Sequence, residues 1–330
     1  MKIVITDDRF GSNDEEAAIF SHAPVELIIA DCHTEEDVIE ACKDADAILL
    51  NQAPMTAEVI QTLYKCKVIS RYGIGYDNVD VLAAEKQGIW VTNVPGYCTE
   101  EVAEHALGLL LSCIRAIPAK DRGVRSGKWN SNYPIRRMTG STLGIVGFGA
   151  TGRALWERVQ GFGLGQILIN DTHIERKLLP GMFGKAASFE ELIRESDFIS
   201  LHIPLNERTR QCINREAFLC MKAHAVLINT SRGGVINEAA LIEALRYGII
   251  AGAGLDVFER EPLGKDHPFL TMDNVVLTDH SAYYSLESVS ELKTRTAKNA
   301  LDVLEGRIPR TPVNRPRLVI GSAARSEQIA

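Results

Sequence analysis

The chain has 330 residues, 45% of them hydrophobic and 24% charged, with a formal net charge of −7; that length suffices for two domains with real cores and the composition is globular. The acidic balance speaks against nucleic acid, which needs a basic face, and no stretch approaches the roughly 18 uninterrupted apolar residues that would point to a membrane. Seven cysteines at 32, 42, 66, 98, 113, 212 and 220 form no CxxC pair and are odd in number, which predicts unpaired thiols in a reducing cytoplasm, with neither a disulfide framework nor bound metal.

The opening MKIVITDD reads as a first strand rather than a signal peptide. Short β-branched runs stand at 2–5, 26–29, 47–50 and 67–70, with acid-rich helical stretches between them. Alternation of this kind implies parallel sheets covered by helices. A long helical run starts at Thr99 and extends to about Arg115, with Thr99 as its expected N-cap and acids in the first turn. A second series of strands begins at Thr142–Val146 and continues at 166–170, 197–201, 225–229 and 250–255. The stretch from Ser285 to about Gly306 has the pattern of a closing helix, and the tail from Pro309 carries three prolines and no periodicity. The expected fold is α/β, with two doubly wound parallel-sheet domains. Residues 1–101 and 286–330 form one, and 102–285 form the other, inserted into it. No internal repeat of fixed period is present.

Gly147-Phe-Gly149-Ala150-Thr151-Gly152 follows the strand TLGIV and precedes a helix expected over Arg153–Phe162. In that context the glycines read as a dinucleotide turn. Gly147 permits the tight turn, Gly149 lets the backbone approach a pyrophosphate, and Gly152 lets the helix pack closely. The phosphates would rest on the free N–H groups of the helix start. Asp171, nineteen residues past Gly152 at the end of the next strand, suits both ribose hydroxyls and repels a 2′-phosphate, so NAD is expected over NADP. Arg176 and Lys177 are a small signal in the other direction.

Three further segments fall at strand ends, around Arg232, Asp256 to Glu261, and Asp279-His280. A planar Arg holds a carboxylate bidentately. His titrates nearest neutral pH and can move the proton of an alcohol. A carboxylate on its other ring nitrogen fixes the tautomer. Taken singly, Arg232 reads as well as a surface ion pair, Glu261 as a solvated loop acid and His280 as a loop histidine. Together, after a dinucleotide turn, they read as a clamp and an acid–base pair. His105 is read as a helix residue without a catalytic partner, and the acid run Asp14-Glu15-Glu16 as a solvated face.

At these residues the chain resembles the D-isomer-specific 2-hydroxyacid dehydrogenases. Further matching motifs are Arg71-Tyr-Gly-Ile-Gly-Tyr-Asp77, Gly88-Ile-Trp-Val-Thr-Asn-Val-Pro-Gly96, Leu201-His-Ile-Pro204 and Asn229-Thr-Ser-Arg-Gly. The resemblance implies a flavodoxin-like substrate domain, an inserted Rossmann NAD-binding domain, and reversible hydride transfer between NAD and a small 2-oxo or 2-hydroxy acid. It implies that Arg232 binds the substrate carboxylate, that Glu261 and His280 are the acid–base pair, and that Asp256 meets the nicotinamide amide. Ala150 and Thr151 would belong to the phosphate turn, and Asp171 would be the ribose acid. His202 and Pro204 would lie on the adenine side, Thr230 and Ser231 near the nicotinamide. Gly73, Ile74 and Gly75 would meet the substrate from the first domain, with Tyr283 also on the substrate side. A homodimer through the cofactor domain is implied as well. Two alternatives stay open, an NADH-sensing scaffold like the carboxy-terminal binding proteins and a true 3-phosphoglycerate dehydrogenase. Asp279 stands where the family usually has Pro. The loop Leu49–Glu58 lacks the basic side chain expected for a phosphorylated substrate, and Met55 with Tyr283 suggests an apolar and aromatic wall instead.

Overall fold

The computed structural model describes residues 1–129, 132–174 and 183–316, so Arg176 and Lys177 lie outside the described residues. Two compact units are present: Met1–Tyr97 together with the chain from Ser285, and Cys98–Tyr284.

The first unit runs β1 (Lys2–Ile5), α1 (Asp14–Phe20), β2 (Glu26–Ile29), α2 (Glu35–Cys42), β3 (Ala47–Leu50), α3 (Ala57–Gln61), β4 (Val68–Arg71), α4 (Val81–Gln87) and β5 (Trp90–Thr92). Its five strands are all parallel, in the order β2-β1-β3-β4-β5, which is the flavodoxin-like order. All four residues of β3 and of β4 are buried. A parallel strand covered on both faces carries a continuous apolar run, and β3 does so with Ala-Ile-Leu-Leu. Helix α2 starts at a capping box in which Thr34 and Asp37 satisfy each other's backbone N–H groups.

The second unit holds α5 (Thr99–Arg115), α6 (Ile117–Arg125), β6 (Thr142–Val146), α7 (Ala150–Arg158), β7 (Gln166–Asn170), β8 (Lys185–Ala186), α8 (Phe189–Glu195), β9 (Phe198–Leu201), α9 (Arg215–Cys220), β10 (Val226–Asn229), α10 (Glu238–Arg246), β11 (Gly252–Leu255) and β12 (Val275–Leu277). Its sheet is parallel throughout, in the order β12-β11-β10-β9-β6-β7-β8. The last helix, α11 (Leu286–Leu304), returns to the first unit, with Ser285 and Ser288 forming its capping box. Among the described residues no single helix is long and apolar enough to cross a membrane, and all seven cysteines are free thiols.

Three local expectations change. The N-cap of α5 is Cys98 rather than Thr99, because the Cys98 carbonyl already accepts the first helical bond, from the Val102 N–H. The helix after the glycine turn starts at Ala150, three residues early, and tightens into a 3₁₀ turn at Val159–Phe162. The acid run in α1 is only partly a solvated face: Asp14 is exposed and Glu15 half-buried, but Glu16 is 0% exposed. Lys293 of α11, only 2% exposed, lies 2.6 Å from Glu15 and 3.4 Å from Glu16, and Tyr72 Oη donates to Glu16 at 2.8 Å. Packing of α1 on α11 buries these charges, and burial is tolerable because they are paired.

Candidate active site

Val146, Leu201, Asn229, Leu255 and Leu277 stand in register across β6, β9, β10, β11 and β12. The next residues are Gly147, His202, Thr230, Asp256 and Thr278. Five strands therefore release their chains along one edge. Strand order reverses between β6 and β9, and in open α/β sheets such a reversal opens a crevice at the carboxyl ends.

The glycine turn leaves β6 at that reversal. Gly147 has φ +93°, and a Cβ there would stand 2.3 Å from the His202 carbonyl oxygen, so only glycine fits between the two strand ends. A Cβ on Gly152 would stand 2.2 Å from the Gly147 carbonyl oxygen, which is the close packing of helix start on turn. Gly149 is the N-cap of α7 and offers no side chain to cap it. Nothing lies within 4 Å of a Cβ built there. The first N–H groups of α7, at Ala150, Thr151 and Gly152, thus start a helix into open space, where an anion is favoured.

Asp171 follows β7. Its carboxylate accepts the Phe148 N–H at 2.8 Å and the His173 N–H at 2.8 Å, which ties it to the glycine turn. His202 Nε2 lies 2.9 Å from Ser200 Oγ, and burial pushes its pKa down to about 4, so the ring is neutral near pH 7. The Pro204 carbonyl accepts from Thr209 Oγ1 at 2.6 Å. Thr230 Oγ1 is buried with no hydrogen-bond partner among the described residues, although buried hydroxyls are ordinarily bonded. A glycine-lined uncapped helix start, an acid at the end of β7 tied to that glycine turn, and an orphaned hydroxyl fit a bound dinucleotide.

The loop after β10 is organised by Asn229. Its Oδ1 accepts the Ser231 N–H at 3.0 Å and Ser231 Oγ at 2.8 Å, and its Nδ2 donates to the Arg232 carbonyl at 3.0 Å. Asn229 is an Asx-turn residue whose task went unread in the sequence, although its type and place before a loop signal it. Arg232 Nη1 donates to the Ser231 carbonyl at 2.7 Å.

Glu261 joins the loops after β11 and β12. Its Oε1 accepts the Phe258 N–H at 2.9 Å, and its Oε2 lies 2.6 Å from His280 Nδ1. Burial by itself would raise the Glu261 carboxyl. The hydrogen bond and charge of His280, the Phe258 N–H and the charge of Arg232 outweigh burial and hold it below the ordinary carboxylate range. An ionised carboxylate only accepts, so His280 carries its proton on Nδ1 and turns Nε2 outward from the pair.

His280 itself has φ +57°, a left-handed conformation that costs a non-glycine residue roughly 1 kcal/mol. Asp256 holds it there. The Asp256 carbonyl accepts the His280 N–H at 2.9 Å. Its Oδ1 accepts the Ser281 N–H at 2.9 Å and its Oδ2 the Ala282 N–H at 3.0 Å. Thr278 Oγ1 adds a bond to Oδ1 at 2.6 Å. His105 of α5, read from the sequence as partnerless, reaches Thr278 Oγ1 at 2.9 Å and Asp256 Oδ1 at 3.5 Å. No sequence signal connects positions so far apart in the chain. Asp279 is exposed, and Tyr283 is half-buried with its ring 6.5 Å from that of Tyr284, edge to face.

In the first unit, Gly73, Ile74 and Gly75 form the turn after β4. The Gly73 carbonyl accepts the Val94 N–H at 2.8 Å, the Ile74 carbonyl accepts from Asn93 Nδ2 at 2.8 Å, and the Ile74 side chain is 41% exposed. Met55 does not belong to an exposed apolar wall: it is 0% exposed, packed in the core beneath the sheet. The loop around it holds an acid instead, since the Asp7 carboxylate accepts the N–H groups of Asn51 and Gln52 at 3.2 and 2.7 Å.

Residues 107–282 match the family described as D-isomer specific 2-hydroxyacid dehydrogenase, NAD binding domain. The chain is 44% identical over 284 residues to a glyoxylate reductase of Korarchaeum cryptofilum, covering 84% of this chain and 85% of that one. It is 37% identical over 321 residues to a D-3-phosphoglycerate dehydrogenase of Methanocaldococcus jannaschii, covering 96% of this chain and 60% of that one. Among solved structures it resembles the D-lactate dehydrogenase of Aquifex aeolicus complexed with NAD and lactic acid, with TM-score 0.84 and 27% identity over 96% of this chain and all of that one.

Proposed function

The chain belongs to the D-isomer specific 2-hydroxyacid dehydrogenase family of NAD-dependent oxidoreductases, and from that premise we propose that it reversibly reduces a small, unphosphorylated 2-oxo acid of the glyoxylate type. The observation that carries the reading is the 2.6 Å contact between His280 Nδ1 and Glu261 Oε2, on the same sheet edge as Arg232 and the uncapped start of α7.

The first turn of α7 would hold the pyrophosphate, Asp171 the adenosine ribose, His202 and Pro204 the adenine side, and Thr230 and Ser231 the nicotinamide side. When bound, NAD gives or takes the hydride at the substrate's second carbon. Arg232 clamps the substrate carboxylate through its planar fork, which orients the neighbouring carbonyl. His280 Nε2 then delivers a proton to the substrate oxygen in reduction and removes it in oxidation. Glu261 keeps Nδ1 as the donor to itself, so that Nε2 remains the working atom, and it stabilises the ring when both nitrogens are protonated.

Two observations support an unphosphorylated substrate. The loop Asn51–Glu58 contains no Lys or Arg, and two of its backbone N–H donors already serve Asp7. A phosphate dianion needs such donors to offset its desolvation.

The test is NADH oxidation with glyoxylate, hydroxypyruvate, branched and thioether 2-oxo acids, and 3-phosphohydroxypyruvate. Turnover of one or more unphosphorylated acids is expected. A tenfold or greater preference in kcat/KM for the phosphorylated acid, about 1.4 kcal/mol of transition-state binding, would overturn the substrate class. Tight NADH binding with no turnover of any acid would favour a sensing scaffold.

A further inference from the structure

Thr278 Oγ1 has one proton, and the 2.6 Å contact commits it to Asp256 Oδ1. Toward His105 Nε2, at 2.9 Å, the same oxygen therefore accepts. His105 must carry its proton on Nε2. The order of donors is then fixed: His105 Nε2–H donates to Thr278, Thr278 O–H donates to Asp256, and the peptide N–H groups of Ser281 and Ala282 donate to the two Asp256 carboxylate oxygens. The Asp256 carbonyl takes the His280 N–H as well. Three consecutive peptides around His280 thus hang on one buried residue, and that residue is backed by a side chain from α5, the helix packed against β10, β11 and β12.

We propose that His105 is a positioning residue for His280, acting through Thr278 and Asp256. The inference rests on the acid–base role of His280 proposed above. A left-handed residue does not keep its conformation unaided. His280 must also place Nε2 closely, because a displacement of about 1 Å in a reacting group can cost about a hundredfold in rate. The bare alternative is that His105 only fills space between α5 and β12. Filling space does not depend on which nitrogen donates, and positioning through Thr278 does.

The experiment compares His105→Leu, His105→Gln, Thr278→Val and His280→Ala, each as the full chain. Gln puts an N–H donor where His105 Nε2 stands, and Leu does not. His105→Leu is expected to lower kcat by about tenfold or more, with KM for the 2-oxo acid and for NADH changed by less than about twofold. His105→Gln should recover most of kcat. Thr278→Val should match His105→Leu, and the double variant should lose little more than either alone, as residues acting in one chain do. Amide hydrogen exchange gives a readout apart from turnover. In His105→Leu the Ser281 and Ala282 amides should exchange about tenfold faster or more, while the β6 and β10 amides stay as they were. Wild-type kcat and exchange in His105→Leu, or equal losses in the Leu and Gln variants, would overturn the inference. If His105→Leu does not fold, Thr278→Val decides by the same criteria. An inactive His280→Ala beside a normal His105→Leu sinks the positioning role alone. Near-normal kcat in His280→Ala sinks the acid–base reading, and this inference with it.

Discussion

Glu261 stands between His280 and Phe258, with one oxygen 2.6 Å from the imidazole Nδ1 and the other accepting the Phe258 backbone N–H at 2.9 Å. The carboxylate is thereby anchored on the β11 side while it orients a ring carried by the β12 side. Removing the ring or the charge should affect chemistry far more than folding.

His280→Ala is expected to lower kcat by about 10²-fold or more, the usual worth of a positioned general acid. Glu261→Gln should lower kcat as well, with a smaller change in KM, since it leaves Arg232, the proposed substrate clamp, in place. Steady-state kinetics of NADH oxidation with glyoxylate measures both. A His280→Ala enzyme with near-normal kcat would remove the assigned role.

Asp171 sets a prediction about cofactor choice. Its carboxylate, held by the N–H groups of Phe148 and His173, would face a 2′-phosphate with like charge and no donor. NADH should therefore give the higher kcat/KM, and Asp171→Ala should narrow the gap to NADPH. Equal use of the two cofactors by the unaltered protein contradicts the assignment.

Asp197 offers a test of stability against pH. It accepts the Thr142 N–H at 2.7 Å and meets Lys222 and His224 at 2.9 and 2.7 Å. Burial would raise its carboxyl, but the Thr142 N–H, His224 and Lys222 outweigh burial and hold it below its ordinary value. A carboxyl lowered in the folded state contributes stability that is fully present above its unfolded pKa, about 3.9, and is lost as pH falls through the folded value. Asp197→Asn should therefore cost about 1–3 kcal/mol at pH 7. The gap from the unaltered protein should shrink steadily below about pH 4. Urea unfolding at several pH values reads this, and a gap independent of pH would show that the charge is not what matters.

Lys293 is the cation of the buried cluster in the first unit. Lys293→Met would leave Glu15 and the wholly buried Glu16 without their cation, a change expected to cost about 3–5 kcal/mol. Adding Glu16→Gln should restore part of the loss, because burial already raises the Glu16 carboxyl and disfavours its charge. Denaturant midpoints of the single and double variants test this, and a double variant weaker than the single one would contradict it.

Most strands were legible because a parallel strand covered on both faces is mainly apolar. The runs at 2–5, 47–50, 142–146 and 166–170 coincide with β1, β3, β6 and β7, and the run at 26–29 with β2, an edge strand whose Glu26 and Ile29 are exposed. The two-residue β8 is exposed and carries no such pattern. Around the candidate site, the types and spacing of Arg232, Glu261 and His280 could be read because each follows a strand whose end the pattern locates.

What the sequence determined by itself was local. It held the strand-ending motifs, the glycine turn that only small residues permit, and the succession of elements that makes two parallel sheets. Tertiary structure decided which distant side chains share a charge or a proton. Lys293 meets Glu15 and Glu16 only because α11 returns to pack on α1. His105 meets Thr278 only because α5 lies against β12. Met55, apolar in a loop, went to the core rather than to an exposed wall. Hydrogen bonds and ion pairs act over a few ångströms, and nothing in a periodic pattern records which residues come that close.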